Sequence, residues 1–407
     1  MMQGPRVYRR VLAALLLSAL APAAASAATY YVATTGSDTA PGSSTQPFRT
    51  IRRGMGALVA GDTLYVRSGT YPEVLDSNAF TIPSGTSWNA VVTVAAETGN
   101  TVVLNPTITG GAILNLAHSY IKYLVFDGLV LDGLNAQYAV SMINGANHVR
   151  FRNCEVKNSS WDGIIVVNGT GGTDYNEFIG LSIHDSGLSG RGHGIYIQTS
   201  NNLVDRCDVF NNAKFGIQIY NGYSGERANS NTVRNTKFRN DGYSTAATGG
   251  ALTINSGTGN AAYNNVIWSC WRGIDTLWGS PSGTKIYNNT IYNNRGPGIE
   301  VGAGVSTVVV QNNIVWANDS AITDNGSGTI LSNNLTTDPK FVDAAGANFK
   351  LQPTSGAVDS GIAISTVLSD FLGVLRPQGS SYDIGAYEYQ ASSMSAPKNL
   401  KVISPSP

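Results

Sequence analysis

Charged and aromatic side chains recur at one place in a repeated phrase in the middle of the chain. The phrase has the form Gly-Ile-x-Ile, and the residues within and just before it can do chemistry on a sugar. Basic groups can hold an anionic sugar or take its proton, and flat aromatic rings can pack on a sugar ring. The candidate catalytic residues are Lys214, Arg272, His193, Tyr196, Asp275 and Glu300, and the candidate substrate-binding residues are Trp161, Asp162, Gln218 and Trp271.

Two reactions fit these groups. Elimination from a uronic acid needs a positive charge beside the carboxylate and a base for the C5 proton. Arg272, Lys214 or a bound cation could supply the charge. Lys214, His193 or Tyr196 could act as the base. Hydrolysis needs two carboxyl groups instead, about 5 Å apart in a retaining enzyme, and Asp275 and Glu300 occur in successive repeats.

The repeat predicts how these residues are positioned. The residue before each Gly-Ile step falls at 162, 193, 215, 250, 272 and 297, so a repeat takes 22 to 35 residues. Each repeat holds short runs of alternating apolar and polar residues, separated by Asn and Gly, which is typical of short strands and tight corners. The pattern predicts an all-β fold, a single-stranded right-handed parallel β-helix of about 10–12 coils with strands stacked at roughly 4.8 Å. A β-sandwich gives no reason for Asn to recur at one place.

The corners and ends of the stack have their own signals. Asn recurs at 235, 264, 288, 312 and 333, and we expect these amides to hydrogen-bond along the stack. Apolar residues near helical spacing in residues 48–58 predict a short N-terminal capping helix, because an open stack must cover its end. The repeat fades after Leu351. We therefore predict a β-helix domain over residues 28–390 and a flexible tail or linker over residues 391–407.

The composition excludes several classes of protein. The chain has 26 basic and 26 acidic residues and only 13% charged residues, so it lacks the basic excess of a nucleic-acid binder. Residues 1–27 combine arginines, a short apolar core and a small-residue cleavage site, which predicts a signal peptide and a secreted, cell-surface or periplasmic protein without a membrane span. Cys154, Cys207 and Cys270 are interpreted as buried thiols without disulfide bonds.

Several segments resemble the right-handed parallel β-helix proteins of the pectate-lyase superfamily. The segments that carry the resemblance are YYVA at 30–33, GSD at 36–38, QPFRTI at 46–51, GDTLYV at 61–66, GTY at 69–71, RPQG at 376–379 and YDIGAYE at 382–388. Family-nine pectate lyases are similar in GIYI at 194–197, FGIQI at 215–219, GALTIN at 250–255 and WRGID at 271–275. The resemblance implies several aspartate ligands for calcium and a later lysine base. Asp275 matches one ligand, Trp271 and Arg272 occupy two other acidic positions, and no lysine matches the base.

The sequence therefore favours a secreted polysaccharide lyase that cleaves a uronate-containing polysaccharide by β-elimination. Two alternatives stay open: a glycoside hydrolase that uses a carboxylate pair, and a non-catalytic cell-surface or glycan-binding β-helix protein. The expected partner is an acidic polysaccharide, and neither nucleic acid nor a membrane is expected. Calcium at Asp275 is the expected cofactor, if there is one, and the chain is expected to be a monomer.

Overall fold

The computed structural model describes residue 1 and residues 27–391, except residues 135, 170, 191, 222–227 and 244–248. Residues 2–26 of the predicted signal peptide and residues 392–407 of the predicted tail lie outside this part of the chain. Within the described residues, no helix has both the length and the apolar character needed to cross a membrane.

Three parallel sheets, here named A, B and C, build the molecule. Sheet A has 12 strands: Thr29–Val32, Thr63–Val66, Val92–Ala96, Lys122–Asp127, Asn147–Arg152, Glu177–Ile179, Leu203–Asp205, Thr232–Arg234, Ala261–Tyr263, Lys285–Tyr287, Val309–Gln311 and Ile330–Ser332. Sheet B has ten: Gly69–Tyr71, Val102–Leu104, Leu129–Asp132, Glu155–Lys157, Ser182–His184, Asp208–Phe210, Lys237–Arg239, Val266–Trp268, Thr290–Tyr292 and Ile314–Trp316. Sheet C has ten: Leu75–Asp76, Ala112–Leu116, Tyr138–Met142, Ile164–Val166, Ile195–Ile197, Phe215–Ile219, Gly250–Ile254, Ile274–Thr276, Ile299–Val301 and Ile322–Asp324.

The chain passes through sheets A, B and C once in each coil, so like residues of successive coils pair side by side. In sheet C, Ile164 pairs with Ile195 and Ile195 with Ile217, and all three are fully buried. In sheet A, the rings of Phe126, Phe151 and Phe178 stack inside the helix. Each such buried side chain contributes roughly 1.5–3 kcal/mol of hydrophobic free energy. The predicted parallel β-helix is confirmed.

The corner between sheets A and B uses two consecutive residues in each coil. The predicted Asn column, residues 235, 264, 288, 312 and 333, has φ between 49° and 58°, a left-handed conformation that asparagine tolerates. Within this column Asn264 Nδ2 donates to Asn235 Oδ1 at 3.3 Å, and Asn312 Nδ2 donates to Asn288 Oδ1 at 3.4 Å. A second, continuous amide ladder runs through the next residue. The backbone N–H of Asn265 donates to Asn289 Oδ1 at 2.9 Å, and that of Asn289 donates to Asn313 Oδ1 at 2.9 Å. The prediction of amide bonds along the first column is thus confirmed for two pairs. It missed the second ladder, because the first Asn turns the chain and the second points inward.

Both ends of the stack are covered. The predicted N-terminal helix spans Ile51–Met55, and the side chain of Thr50 accepts a hydrogen bond from the backbone N–H of Arg53. At the other end the coils stop at Ile330–Ser332 in sheet A. Phe341–Asp343 and Asn348–Leu351 then form an antiparallel hairpin rather than a further coil. The predicted repeat up to Leu351 therefore includes an element that lies outside the stack.

The three cysteines are buried in the core and form no disulfide bond, as predicted. Burial raises the pKa of Cys154 and of Cys207 to about 12. Because only the thiolate is a good nucleophile, these side chains serve as apolar filling.

Candidate functional site

The candidate residues lie on the outer face of sheet C. Residues that point away from the core are paired from coil to coil, in the order Ile165, Tyr196, Gln218, Thr253, Asp275, Glu300 and Thr323. This order confirms the predicted column. The structure divides the candidate side chains of this face into two groups. The His193 cluster comprises Trp161, Asp162, His193, Tyr196, Lys214 and Phe215. The Asp275 cluster comprises Thr253, Arg272, Asp275 and Glu300.

The His193 cluster is built around a buried imidazole. The backbone N–H of His193 donates to Asp162 Oδ1 at 2.8 Å, and each of these two residues is only 5% exposed. The His193 Nδ1 accepts a hydrogen bond from the backbone N–H of Phe215 at 3.3 Å. The His193 ring centre lies 5.4 Å from the rings of both Tyr196 and Phe215. Three successive coils thus hold the ring in one orientation.

Burial sets the charge state of this cluster. Burial, with a smaller contribution from the nearby charge of Lys214, lowers the pKa of His193 to about 3, so the imidazole is neutral at pH 7. Because Nδ1 accepts from Phe215, we assign the proton to Nε2. Burial raises the pKa of Asp162 to about 7, against the opposing effects of the His193 N–H and of Lys214. His193 is therefore suited to donate a hydrogen bond rather than to accept a proton.

Lys214, Tyr196 and Trp161 are the more accessible groups of the cluster. Lys214 and Tyr196 are half-buried, and the Lys214 Nζ lies 5.8 Å from the centre of the Phe215 ring. Trp161 is 47% exposed and stands edge-on to Tyr138 at 6.2 Å. These side chains can reach a ligand, whereas Asp162 and His193 lie behind them.

Tyr138 also lies on this face, beside Trp161, and the repeated phrase does not identify it. Burial raises the pKa of this phenol to about 12, with a smaller contribution from the negative charge of Asp162. Its coil reads Tyr-Ala-Val-Ser-Met and lacks the Gly-Ile step that was used to align the others. The alternation of its strand, which pairs with the strands on either side, is the signal that could have found it.

The Asp275 cluster is also buried, but it is organised by an ion pair. The hydroxyl of Thr253 donates to Asp275 Oδ1, while Asp275 Oδ2 has no hydrogen-bond partner among the described residues. Burial raises the pKa of Asp275, which is 1% exposed, to about 7. Arg272 Nη1 donates to Glu300 Oε2 at 2.8 Å, so the guanidinium forms its ion pair with Glu300.

The other two predicted binding residues differ in accessibility. Gln218 is 6% exposed although it stands in the outward column. Trp271 is half-buried, and its backbone N–H donates to the carbonyl of Asp241 at 2.9 Å. Phe215 pairs with Gly250, and the coil of Arg272 follows, so Phe215 and Arg272 lie two strand spacings, roughly 10 Å, apart along the stack.

The residues around Asp275 do not fit a calcium site. Calcium takes six to eight oxygen ligands, usually from several carboxylates. Here Asp275 offers one unpartnered oxygen, and the neighbouring Glu300 carboxylate is engaged by the positive charge of Arg272. No group of three or more His, Cys, Asp or Glu side chains suited to a metal occurs in the part of the chain that the structure describes. We derive no step that involves calcium.

Comparisons with known proteins agree with this architecture. Residues 30–186 match the family described as "Pel9A-like, right handed beta helix region", and residues 165–336 match "Right handed beta helix region". Pectate lyase PEL9 of Emericella nidulans is 27% identical over 312 residues, which are 74% of this chain. The chain spans 60% of the length of that curated relative.

Solved structures are similar over most of the chain. The crystal structure of pectate lyase Pel9A has a TM-score of 0.67 at 17% identity and covers 89% of this chain and 96% of its own. An alginate lyase from Paenibacillus sp. str. FPU-7 has a TM-score of 0.54 at 16% identity, over 75% of this chain and 99% of its own. A glycoside hydrolase has a TM-score of 0.56 at 10% identity, over 80% and 99%. At these identities the likeness concerns the fold alone.

Proposed function

Because the chain is a pectate-lyase-like right-handed β-helix protein, we propose that it is a secreted polysaccharide lyase acting on a uronate-containing polysaccharide. The observation that carries the proposal is the His193 cluster. An accessible lysine and tyrosine flank a buried neutral histidine on one face of the stack, beside an exposed tryptophan. The broader assignment, as a carbohydrate-active β-helix protein, rests on the similar proteins and does not depend on this cluster.

Each member of the cluster has a role in β-elimination. The Lys214 ammonium pairs with the uronate carboxylate and so makes the C5 proton more acidic. The phenol oxygen of Tyr196 takes that proton while its own hydroxyl proton passes to the leaving O4. The C–H electrons form the C4–C5 double bond and the C4–O4 bond breaks, so the tyrosine ends in its starting state. The buried His193 ring holds the rings of Tyr196 and Phe215 in place, and Trp161 packs on a neighbouring sugar ring.

The test measures unsaturated product from a panel of acidic polysaccharides by its ultraviolet absorbance. We expect the natural chain to produce it, and Lys214→Ala and Tyr196→Phe to lower kcat/KM by about 10²–10⁴-fold, as loss of a proton-transfer or charge-stabilising group does. Lys285→Ala is the matched control, since Lys285 is an exposed lysine on sheet A. The control should keep full activity.

Other outcomes separate the alternatives. New reducing ends without ultraviolet absorbance would mean hydrolysis. No product across a broad panel would favour a glycan-binding protein without catalysis. Full activity in both Lys214→Ala and Tyr196→Phe would contradict the assignment of the site. Export is tested separately, because the N-terminus of protein recovered outside the cell should begin at Ala28.

A hydrolase remains the second candidate because of one observation. Asp275 and Glu300 pair on adjacent strands, and burial raises the pKa of Asp275 to about 7 while Glu300 is paired with Arg272. A protonated carboxyl beside an ionised one is the arrangement of a glycosidase. In that case Asp275→Asn and Glu300→Gln abolish the release of reducing ends, and Lys214→Ala does not.

A further inference from the structure

A groove runs along the outer face of sheet B, on a different side of the β-helix from the His193 cluster. After the hairpin the chain returns across this face. Phe349 packs on Trp268 at 5.5 Å, and the backbone N–H of Ala386 donates to Thr290 Oγ1 at 2.9 Å. This returning segment covers the late coils only. At Phe371 and Leu372 a groove remains between it and the strands Asp208–Phe210 and Lys237–Arg239.

The groove consists of two adjoining hollows of about 320 Å³ and 420 Å³. They share Asp208, Lys237, Phe371 and Leu372 in their walls, so they form one elongated depression. Its floor runs along the stack from Ser182 to Val266. On four adjacent strands, Ser182 pairs with Asp208, Asp208 pairs with Lys237, and Lys237 pairs with Val266. Three strand spacings give a length of about 14 Å, enough for a short oligomer.

The lining of this sheet B groove is basic. Four basic side chains, those of Arg206, Lys237, Arg239 and Lys350, face one acidic side chain, that of Asp208, among the described lining residues. Arg239 forms an ion pair with Asp208, and Lys237 and Lys350 are exposed. In a chain with zero net charge and 13% charged residues, the excess is local. A concave basic surface concentrates anions.

Aromatic rings lie among these cations. The Arg239 guanidinium carbon sits 3.7 Å from the centre of the Phe210 ring, whose other neighbour is the imidazole of His184 at 4.5 Å. The Lys237 Nζ lies 5.8 Å from the centre of the Phe371 ring. Ring faces beside cations match a ligand that carries both apolar C–H surfaces and carboxylates.

We propose that the sheet B groove is a second, non-catalytic binding site for an acidic oligosaccharide. Lys237 and Lys350 bind its carboxylates, and Phe371 and Trp268 line the path of its sugar rings. The ligand class rests on the proposed function, but the site does not use any residue of the His193 cluster. A polymer held here stays at the protein surface while another stretch of it reaches sheet C, which raises the local concentration of substrate.

The experiment titrates the full chain carrying Lys214→Ala with trigalacturonate at low salt, by calorimetry. We expect binding, and we expect Lys237→Ala/Lys350→Ala in the same background to weaken it at least tenfold. The matched control is Lys122→Ala/Lys285→Ala, which removes two exposed lysines from sheet A and the same amount of charge. The control should bind trigalacturonate as the parent does, and all variants should keep the far-ultraviolet circular dichroism of the parent.

Three results would overturn the proposal: no binding by the parent, equal loss in the control, or equal binding after Lys237→Ala/Lys350→Ala. A neutral galactose trimer should not bind, and a polyglutamate peptide of equal charge should bind more weakly. Equally tight binding of the peptide would overturn the assignment to a sugar. If the protein shows no lyase activity but binds trigalacturonate through Lys237, the proposed function is wrong and the second site is supported. The failure of one proposal can therefore be told from the failure of the other.

Discussion

The outer faces of sheets B and C both carry charged and aromatic side chains, but the ionisable groups are buried on sheet C and partly exposed on sheet B. On sheet C, Asp162, His193 and Asp275 are at most 5% exposed. Burial raises the pKa of the two carboxyl groups to about 7 and lowers the pKa of His193 to about 3. On sheet B the ion pair of Arg239 and Asp208 keeps side-chain exposures of 28% and 42%. Desolvation prepares groups for proton transfer, whereas exposed charge suits reversible binding. The contrast favours chemistry on sheet C and retention of the polymer on sheet B.

The largest expected effect concerns the segment that covers sheet B. Arg376 and Glu388 form an ion pair of 2.5 Å with side chains that are 0% exposed. Arg376→Ala leaves a buried carboxylate without its cation, and we expect a loss of about 3–5 kcal/mol in the stability of this segment. Limited proteolysis should then cut residues 338–390 first, while the coils stay resistant.

A matched double variant sharpens the same comparison. Arg376→Met/Glu388→Leu removes both charges and should cost much less than Arg376→Ala, because no unpaired charge is buried. Lyase activity on short substrates should survive in both variants, since sheet C is untouched. Loss of the far-ultraviolet signal of the whole β-helix in Arg376→Ala would contradict the idea that the segment is an addition to the stack.

An intermediate effect is expected in the pH dependence of stability. The folded pKa of Asp162 and of Asp275 is about 7, above the ordinary value of 3.8. Below pH 3.8 both states are protonated; between pH 3.8 and 7 only the unfolded chain loses these protons. The contribution of these two carboxyl groups to the free energy of unfolding therefore falls as pH rises through this range, by on the order of 1–4 kcal/mol per group.

Asp162→Asn/Asp275→Asn should flatten this slope, because amides do not titrate. The measurement is urea unfolding at a series of pH values between 4 and 8, with an unchanged m-value as the check on two-state behaviour. The prediction is wrong if the free energy of unfolding changes with pH in the same way in the natural chain and in the double variant. In that case Asp162 and Asp275 are not protonated in the folded state.

The smallest effect belongs to the most exposed ring of the His193 cluster. Trp161 is 47% exposed, so Trp161→Ala removes little buried area and should change the free energy of unfolding by less than about 1 kcal/mol. Loss of a ring that packs on the substrate should raise KM by about 3–10-fold with kcat nearly unchanged. Trp278→Ala, at an exposed tryptophan outside both clusters, is the control and should leave KM alone. A change in kcat alone would assign Trp161 to a different step.

The periodic part of the molecule could be predicted from sequence, and the aperiodic part could not. Alternating Ile and Val fix which side chains enter the core, so the pairing of Asp275 with Glu300 followed from counting. The second, continuous Asn ladder was missed because both residues of the corner are often Asn, and spacing alone cannot tell the left-handed one from the inward one.

Burial on the outer faces had no sequence signal. Gln218 and Asp275 stand in an outward column but are 6% and 1% exposed, and alternation says only which face they occupy. The sheet B groove depends on the contact between Lys237, on a strand of the stack, and Phe371, far along the chain in the segment without repeat. Such contacts arise from the path of irregular segments, which hydrophobic periodicity does not encode.

The amide ladder at the corner has a consequence for how such a molecule can grow. Asn265, Asn289 and Asn313 are spaced 24 residues apart, and each bonds to the next in the same way. Duplication of one such unit would add a rung whose corner amide finds equivalent partners above and below. The β-helix can thus lengthen by whole coils while the side chains of each existing coil keep their neighbours. The length of polymer that the protein contacts can therefore evolve separately from the residues at the His193 cluster.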